Sequence, residues 1–300
     1  MVYVLVPAHN EARTVGLLLW KVRQLFSAFG REYHLIVLDD ASTDGTADVL
    51  APYARALPMT LVTHRRRLGF GACLEELLAL AVERSDRPRR DIAITLQADL
   101  SEATDVLPEM VKRMEGGADI VVADTRRSVQ DGPGAALLRR LLAPLVRSAA
   151  GLSGVDDPLS TLRAYRLAPV ARMLREGRPS HPGSDDVWAA SLAALVRAAR
   201  HARRIETVPA SPFRSLRQRP SRARLLRSAW AAWRAAAALG GRSGGLDGPP
   251  AAGAPAQEPA REAAAGEQRS AQGGRRRARA RGRGRGRARG GDSRAARPPA

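Results

Sequence analysis

The sequence predicts an α/β protein built on a mostly parallel sheet covered by helices, followed by a disordered C-terminal tail. Three observations lead there. Short, almost wholly apolar runs alternate with longer amphipathic runs up to about residue 125, the pattern of strands buried on both faces between crossover helices. Polar clusters recur at one end of those apolar runs: PAHNE, DDAST, QADLS and ADTRR. From about Gly240 the chain is almost entirely Ala, Gly, Pro, Arg, Glu and Gln, without an aromatic residue, and cannot bury enough apolar surface to offset its ordering entropy.

In order, VYVLVP (2–7) reads as the first strand and NEARTVGLLLWKVRQLFSAFG (10–30) as a helix stopped by Gly30. YHLIVLDD (33–40) is a strand, and STDGTADVLAPYARAL (42–57) opens a helix with Ser42 or Thr43 as N-cap. MTLVTH (59–64) is a strand and GFGACLEELLALAVERS (69–85) a helix. DIAITLQ (91–97) is a strand, TDVLPEMVKRMEGG (104–117) a helix ended by its glycines, and ADIVVAD (118–124) a further strand. In sheets of this kind ligands bind at the carboxyl ends of the strands, near a switch in strand order. All four polar clusters lie at such ends. LGFGA (68–72) lacks the Gly-Lys-Ser/Thr ending of a phosphate loop, so its glycines read as sites of close helix approach.

The chain carries 49 basic and 30 acidic residues, a net charge of +19. About half of that excess lies in 240–300 and half in the body. Both parts favour anionic partners such as nucleotides, phospholipid head groups or nucleic acid. Only Lys21 and Lys112 are lysine, and so strong an arginine bias beside the Ala and Gly excess also fits a GC-rich genome. Cys73 is the single cysteine, which excludes an intrachain disulfide and a cysteine zinc cluster. The five histidines show no metal-ligand spacing, no signal peptide is visible, and no run approaches the ~20 apolar residues of a membrane span. The expectation is a cytoplasmic protein, peripheral at the inner face of the cell membrane.

Taken singly, the clusters have plain explanations: DDASTDGT is a capped turn, Asn10 and Glu11 cap a helix, and Ser101 or Thr104 caps the next one. Taken together, in the succession VPAHNE, VLDDASTDGT, LGFGACLEELLALAV, ITLQADLSEATDVLPEMV and DIVVADTRR, they resemble family 2 glycosyltransferases of the GT-A fold. The branch they resemble is that of the dolichol- or polyprenyl-phosphate mannosyltransferases. The likeness continues in GVDDPLSTLRAYRL and RIETVPASPFRSLRQRPSRAR and covers about residues 2–226. The implied organisation is a catalytic domain over 1–226, a terminal amphipathic helix over 227–239 and the tail over 240–300.

Carried over by position, the resemblance implies that Pro7, His9 and Glu11 line the nucleotide pocket, His9 standing where the family usually has Tyr. Val37 and Asp39 would contact the nucleoside, with Asp40 supporting that turn. Gln97, Ala98 and Asp99 occupy the family's Asp-x-Asp, whose carboxylates hold Mg2+ or Mn2+ on the diphosphate. Arg126 would reach a phosphate, Arg139 is a further candidate, and Arg217 and Arg222 would close over the diphosphate. The chemistry asks for such groups. A departing diphosphate is neutralised by a hard cation on oxygen ligands and by arginine forks. One carboxylate with substrate phosphates suffices for Mg2+, and Gln97 adds a neutral, weaker oxygen.

A polyprenyl phosphate is already anionic and attacks without a general base, whereas a hydroxyl acceptor needs one. Asp157 is the candidate base; Asp156 and Asp157 could instead pair with Arg163 and Arg166 to hold their loop. The implied reaction moves a hexose from a GDP- or UDP-sugar to a polyprenyl phosphate with inversion. Two alternatives stay open at this point: a hydroxyl acceptor on the same fold, and a weakly active nucleotide- or RNA-binding protein using the Arg-rich tail. GAALLRRLLAPLVRSAAGL (134–152) and RARLLRSAWAAWRAAAALG (222–240), with Trp230 and Trp233, are basic amphipathic stretches suited either to a bilayer interface or to covering the domain. The tail can meet nucleic acid or anionic lipid by charge alone, since it has no aromatics for base stacking.

Overall fold

The computed structural model describes residues 1–125, 132–177, 185–210 and five helical positions between 230 and 237. All belong to one unit, Met1–Gly248. Seven strands form one sheet: β1 (Val2–Ala8), β2 (Tyr33–Asp39), β3 (Met59–Thr63), β4 (Ile92–Thr95), β5 (Ile120–Asp124), β6 (Arg163–Arg166) and β7 (Ile205–Pro209). Their order is β3-β2-β1-β4-β6-β5-β7. All neighbours pair in parallel except β6, which runs antiparallel to both β4 and β5. The sheet is therefore mostly parallel, as the apolar runs predict.

Alternate residues of β1 feed two cores. Val2, Val4 and Val6 join one face, packed under α1 (Val15–Phe29), α2 (Thr46–Ala56) and α4 (Leu107–Glu115). Tyr3 and Leu5 join the other, under α3 (Phe70–Glu83), α5 (Gly132–Ala150), α6 (Leu167–Arg175) and α7 (Val187–Ala199). On α1 the buried set Val15, Leu18, Leu19, Val22 and Phe26 follows one helical face. Leu18 is completely buried. Leu18→Ala is expected to cost about 2–5 kcal/mol, read from urea midpoints, whereas Leu17→Ala, at a 42 % exposed position, should cost well under about 1 kcal/mol.

Several local expectations are corrected. The first helix starts at Val15 because the residues before it form a turn closed by Thr14 N–H on the Glu11 carbonyl; it ends as expected at Gly30, in the left-handed region at φ 65°. Ser42 and Thr43 do not cap α2: its N-cap is Gly45, because both residues are engaged by the first strand's loop. The helix expected from Thr104 opens with a 3-10 turn, Thr104–Val106, before α4. Asp156 pairs with neither Arg163 nor Arg166. Its carboxylate lies 3.9 Å from Arg147, while Arg166 meets Asp119 and Arg163 donates to the carbonyls of Pro158 and Ser191.

Candidate active site

The chain runs β1, β2, β3 to one sheet edge and then returns to place β4 on the other side of β1. The switch in strand order therefore lies between β1 and β4, where a ligand cleft is expected. Ala8 is level with Asp39, and Gln97 lies two residues past the Leu5–Thr95 pair. PAHNE, DDAST and QADLS thus stand side by side at one sheet end.

Backbone geometry singles out the same three turns. Among the described residues, the non-glycine positions at positive φ are Asn10 (55°), Ala41 (53°) and Leu100 (57°), one in each turn. Such conformations persist only where the surroundings fix them, and they gather at functional sites. Here the fixing contacts are visible. Asn10 N–H donates to Ser42 Oγ (2.8 Å), Thr43 N–H to Asn10 Oδ1 (2.7 Å), Glu11 N–H to Thr46 Oγ1 (2.9 Å) and Ala12 N–H to Asp44 Oδ2 (3.2 Å). Asp39 Oδ1 accepts from the Ser42 amide (3.2 Å) and hydroxyl. His9 Nδ1 lies 2.7 Å from the Asp40 carbonyl, so the ring is held against the second turn.

Asp40 is anchored from behind. Its carboxylate accepts from Leu68 N–H (2.8 Å), Gly69 N–H (2.8 Å) and His64 Nδ1 (2.8 Å). Burial pushes this carboxyl up, but the hydrogen bonds from Leu68, His64, Gly69 and Cys73 outweigh burial and hold it below its usual range. For His64 burial pulls the other way and is likewise outweighed, by Asp40 and Glu76, so its value is raised.

The third turn carries the altered motif. Asp99 is buried and its Oδ1 accepts from Ser101 N–H at 3.0 Å. Gln97 donates its backbone N–H to Glu102 Oε2 (2.7 Å) and its side-chain Nε2 to Thr161 Oγ1 (2.8 Å). The Thr161 hydroxyl in turn donates to Glu102 Oε1. Because the one hydroxyl proton of Thr161 goes to Glu102, that oxygen can only accept from Gln97. The amide of Gln97 is thereby oriented, NH2 toward Thr161 and Oε1 away from it. Glu102 is 4 % exposed, and burial pushes it up to about 7 against the bonds from Thr161 and Gln97, with the Asp99 charge adding to the rise. Neither Glu102 nor Thr161 stands out in the sequence, because one looks like a surface residue at a helix start and the other lies 59 residues further on.

The donor set fits a hard cation: an oriented amide oxygen and a carboxylate two residues apart at the sheet end, a pair such an ion commonly completes with water and phosphate oxygens. Other candidates fall differently. Pro7, His9 and Glu11 are partly exposed in the first turn. Val37 and Ala98 do not line a cleft: Val37 is completely buried and Ala98 2 % exposed, both in the core beneath the turns. Asp157 is completely buried, its Oδ2 accepting from the amide (3.1 Å) and hydroxyl (2.8 Å) of Thr125 at the end of β5. Arg126, Arg217, Arg222 and the tail over 240–300 lie outside the described residues, as does the Arg139 side chain.

The strand-order switch is thus flanked by three tightly fixed polar turns, the third of them carrying Gln97 and Asp99. Residues 3–169, more than half of the chain, match the Glycosyl transferase family 2 profile, and the chain belongs to that family. Among curated relatives it is 29 % identical over 174 residues to the undecaprenyl-phosphate 4-deoxy-4-formamido-L-arabinose transferase of Photorhabdus laumondii, covering 58 % of this chain and 51 % of that one. The Pseudomonas aeruginosa enzyme of the same name is also 29 % identical, covering 58 % and 49 %. The chain thus spans about half the length of the curated relatives it matches. Its fold is GT-A. Mannosyl-3-phosphoglycerate synthase from Rubrobacter xylanophilus superposes with a TM-score of 0.56 at 20 % identity, over 83 % of this chain and 78 % of that one. Glucosyl-3-phosphoglycerate synthase from Mycobacterium tuberculosis, in complex with Mn2+, UDP-glucose and phosphoglyceric acid, gives 0.56 at 20 % identity, over 80 % of each.

Proposed function

We propose that this chain transfers a sugar from a nucleotide diphosphate donor to a polyprenyl phosphate, with inversion at the anomeric carbon and with Mg2+ or Mn2+ on the diphosphate. The observation that carries the reading is the Gln97–Asp99 turn at the strand-order switch, its amide oriented by Thr161 and Glu102. In this reading Pro7, His9, Glu11 and Asp39 meet the nucleoside, Asp40 positions Asp39 and His9, and Asp99 and Gln97 hold the cation. The cation would neutralise charge on the leaving diphosphate. Arg126, Arg217 and Arg222 would supply guanidinium forks to the same phosphates.

The polyprenyl-phosphate relatives support a lipid-phosphate acceptor, and so does Asp157. A carboxylate completely buried against Thr125 is suited to fixing the end of β5, not to taking a proton from a hydroxyl. A phosphate acceptor needs no such base. Contact with the inner membrane face is supported by α5, which exposes Leu141 and Leu145, each at 60 %, beside exposed Arg140 and Arg147. Trp230 and Trp233, 59 % and 40 % exposed, stack with ring centroids 5.1 Å apart. No described helix is long and apolar enough to cross a membrane. The relatives' sugar is a modified arabinose, so both hexoses and that sugar are candidates.

The test supplies the purified full chain with undecaprenyl phosphate in vesicles and labelled UDP- and GDP-sugars singly, with Mn2+, Mg2+ or EDTA. Label is expected in the organic phase with metal and not with EDTA. Nucleotide binding without lipid label for any donor would overturn the acceptor assignment. Label lost only on removing 240–300 would favour a role for the tail.

A further inference from the structure

Behind the second turn a different set of donors converges. Asp40 at the end of β2, His64 just after β3 and Cys73 in α3 bring an oxygen, a nitrogen and a sulfur within 4.8 Å of one another. The cluster is sheltered: Asp40 is 3 % exposed and Cys73 1 %. Two backbone amides, from Leu68 and Gly69, hold the Asp40 carboxylate in place independently of the other side chains. Its remaining contacts are with His64 Nδ1 at 2.8 Å and with the Cys73 thiol. On the far side of the ring, His64 Nε2 lies 2.9 Å from Glu76 Oε2. That is the outer carboxylate contact which fixes the tautomer of a ligating histidine, leaving Nδ1 to the ion.

We propose that Asp40, His64 and Cys73 form a binding site for a borderline-soft divalent cation of the Zn2+ type, with Glu76 orienting the histidine. The donor chemistry selects the ion. A sulfur, an imidazole nitrogen and a carboxylate oxygen suit Zn2+, whereas Mg2+ takes oxygen alone. The exchange balances. One divalent cation enters, and the protons on Cys73 Sγ and His64 Nδ1 leave to solvent. The cluster then keeps its charge, the former imidazolium being neutral and the former thiol a thiolate. Without a cation, burial and the Asp40 charge push the Cys73 thiol up, so it stays protonated. Three protein donors leave one position of a four-coordinate ion to solvent oxygen, and the His64 side chain, 11 % exposed, marks the approach. The ion would join β2, the β3–α3 loop and α3 directly behind Asp39 and His9. This site is distinct from the diphosphate cation, because none of its ligands belongs to the Gln97–Asp99 turn, and it shares with the transferase reading only Asp40, whose carbonyl holds His9.

The experiment is a Co2+ titration of the full chain, freed of metal by chelation and dialysis, near neutral pH. Cys73 is the only cysteine, so a thiolate-to-cobalt charge-transfer band can arise only here. One equivalent of Co2+ is expected to develop that band with tetrahedral visible absorption, and Zn2+ should abolish both. Cys73→Ser should remove the charge-transfer band, and His64→Ala should weaken binding at least about tenfold. Asp99→Asn should leave the band intact, which separates this site from the diphosphate cation. Thermal melts of the variants in EDTA show whether they fold. Wild-type protein that yields only the spectrum of aqueous cobalt, or binds Co2+ without the thiolate band, overturns the proposal.

Discussion

Glu102→Gln is expected to stabilise the metal-free protein at pH 8 while weakening its affinity for Mn2+. The two effects share one cause. Glu102 titrates near 7 in the fold against an ordinary value of 4.5, mainly because it is buried. A folded value above the unfolded one contributes stability that is fully present below about 4.5 and lost as pH rises through about 7. The difference corresponds to roughly 3 kcal/mol, taking about 1.4 kcal/mol for each tenfold. In EDTA the wild type should therefore gain stability between pH 8 and pH 5, and Glu102→Gln should flatten that gain.

The Mn2+ effect follows from hydrogen-bond polarity. A glutamine at 102 must give its single oxygen to Gln97 N–H and its NH2 to Thr161. The Thr161 hydroxyl, now receiving from residue 102, turns its proton to Gln97, whose amide reverses and points NH2 where Oε1 stood. Urea melts across pH and Mn2+ binding by electron paramagnetic resonance check both halves. A variant that melts and binds Mn2+ like wild type at pH 8 would mean that Glu102 neither ionises in place nor orients Gln97.

How much of this was legible in the sequence depends on range. The strands up to β5 announce themselves because sheets covered on both faces need continuous apolar runs, and the polar turns follow because such sheets bind ligands at one end. β6 did not announce itself. RAYR carries two arginines, yet Arg163 is completely buried because carbonyls of Pro158 and Ser191 accept from its guanidinium, a compensation that hydropathy does not register. The N-cap of α2 escapes the local pattern for a related reason: Ser42 has the right chemistry for a cap, but Asp39 and Asn10 claim it first. Glu102 and Thr161, like Asp40, His64 and Glu76, become meaningful only when the fold closes separations of 12 to 59 residues. The carboxylate expected at position 97 is absent, and the nearest compensation lies five residues on, where a linear motif does not look.

The larger loss of activity is expected from Asp99→Asn. Asparagine keeps an Oδ1 for Ser101 N–H, so the turn at Leu100, with its φ of 57°, should survive, and the urea midpoint should move little. What disappears is the only carboxylate of the Gln97–Ala98–Asp99 motif. Two neutral amides cannot offset a diphosphate's bound cation as an amide and a carboxylate do, because a hard divalent ion gains most from anionic oxygen. Transfer to the lipid should fall by at least about 100-fold, or roughly 2.7 kcal/mol of transition-state stabilisation. Gln97→Asp is the informative partner. It restores the family's carboxylate pair and should tighten Mn2+ by about tenfold, roughly 1.4 kcal/mol. In EDTA it should destabilise the fold, because the introduced carboxylate joins Asp99 in repelling Glu102, which is already raised mainly by burial. Stability lost without metal and affinity gained with it would show that Gln97 relieves charge crowding around Glu102 while keeping an oxygen for the ion. If Gln97→Asp binds Mn2+ no better and Asp99→Asn transfers as wild type, the cation is held elsewhere and the turn serves only to shape the cleft.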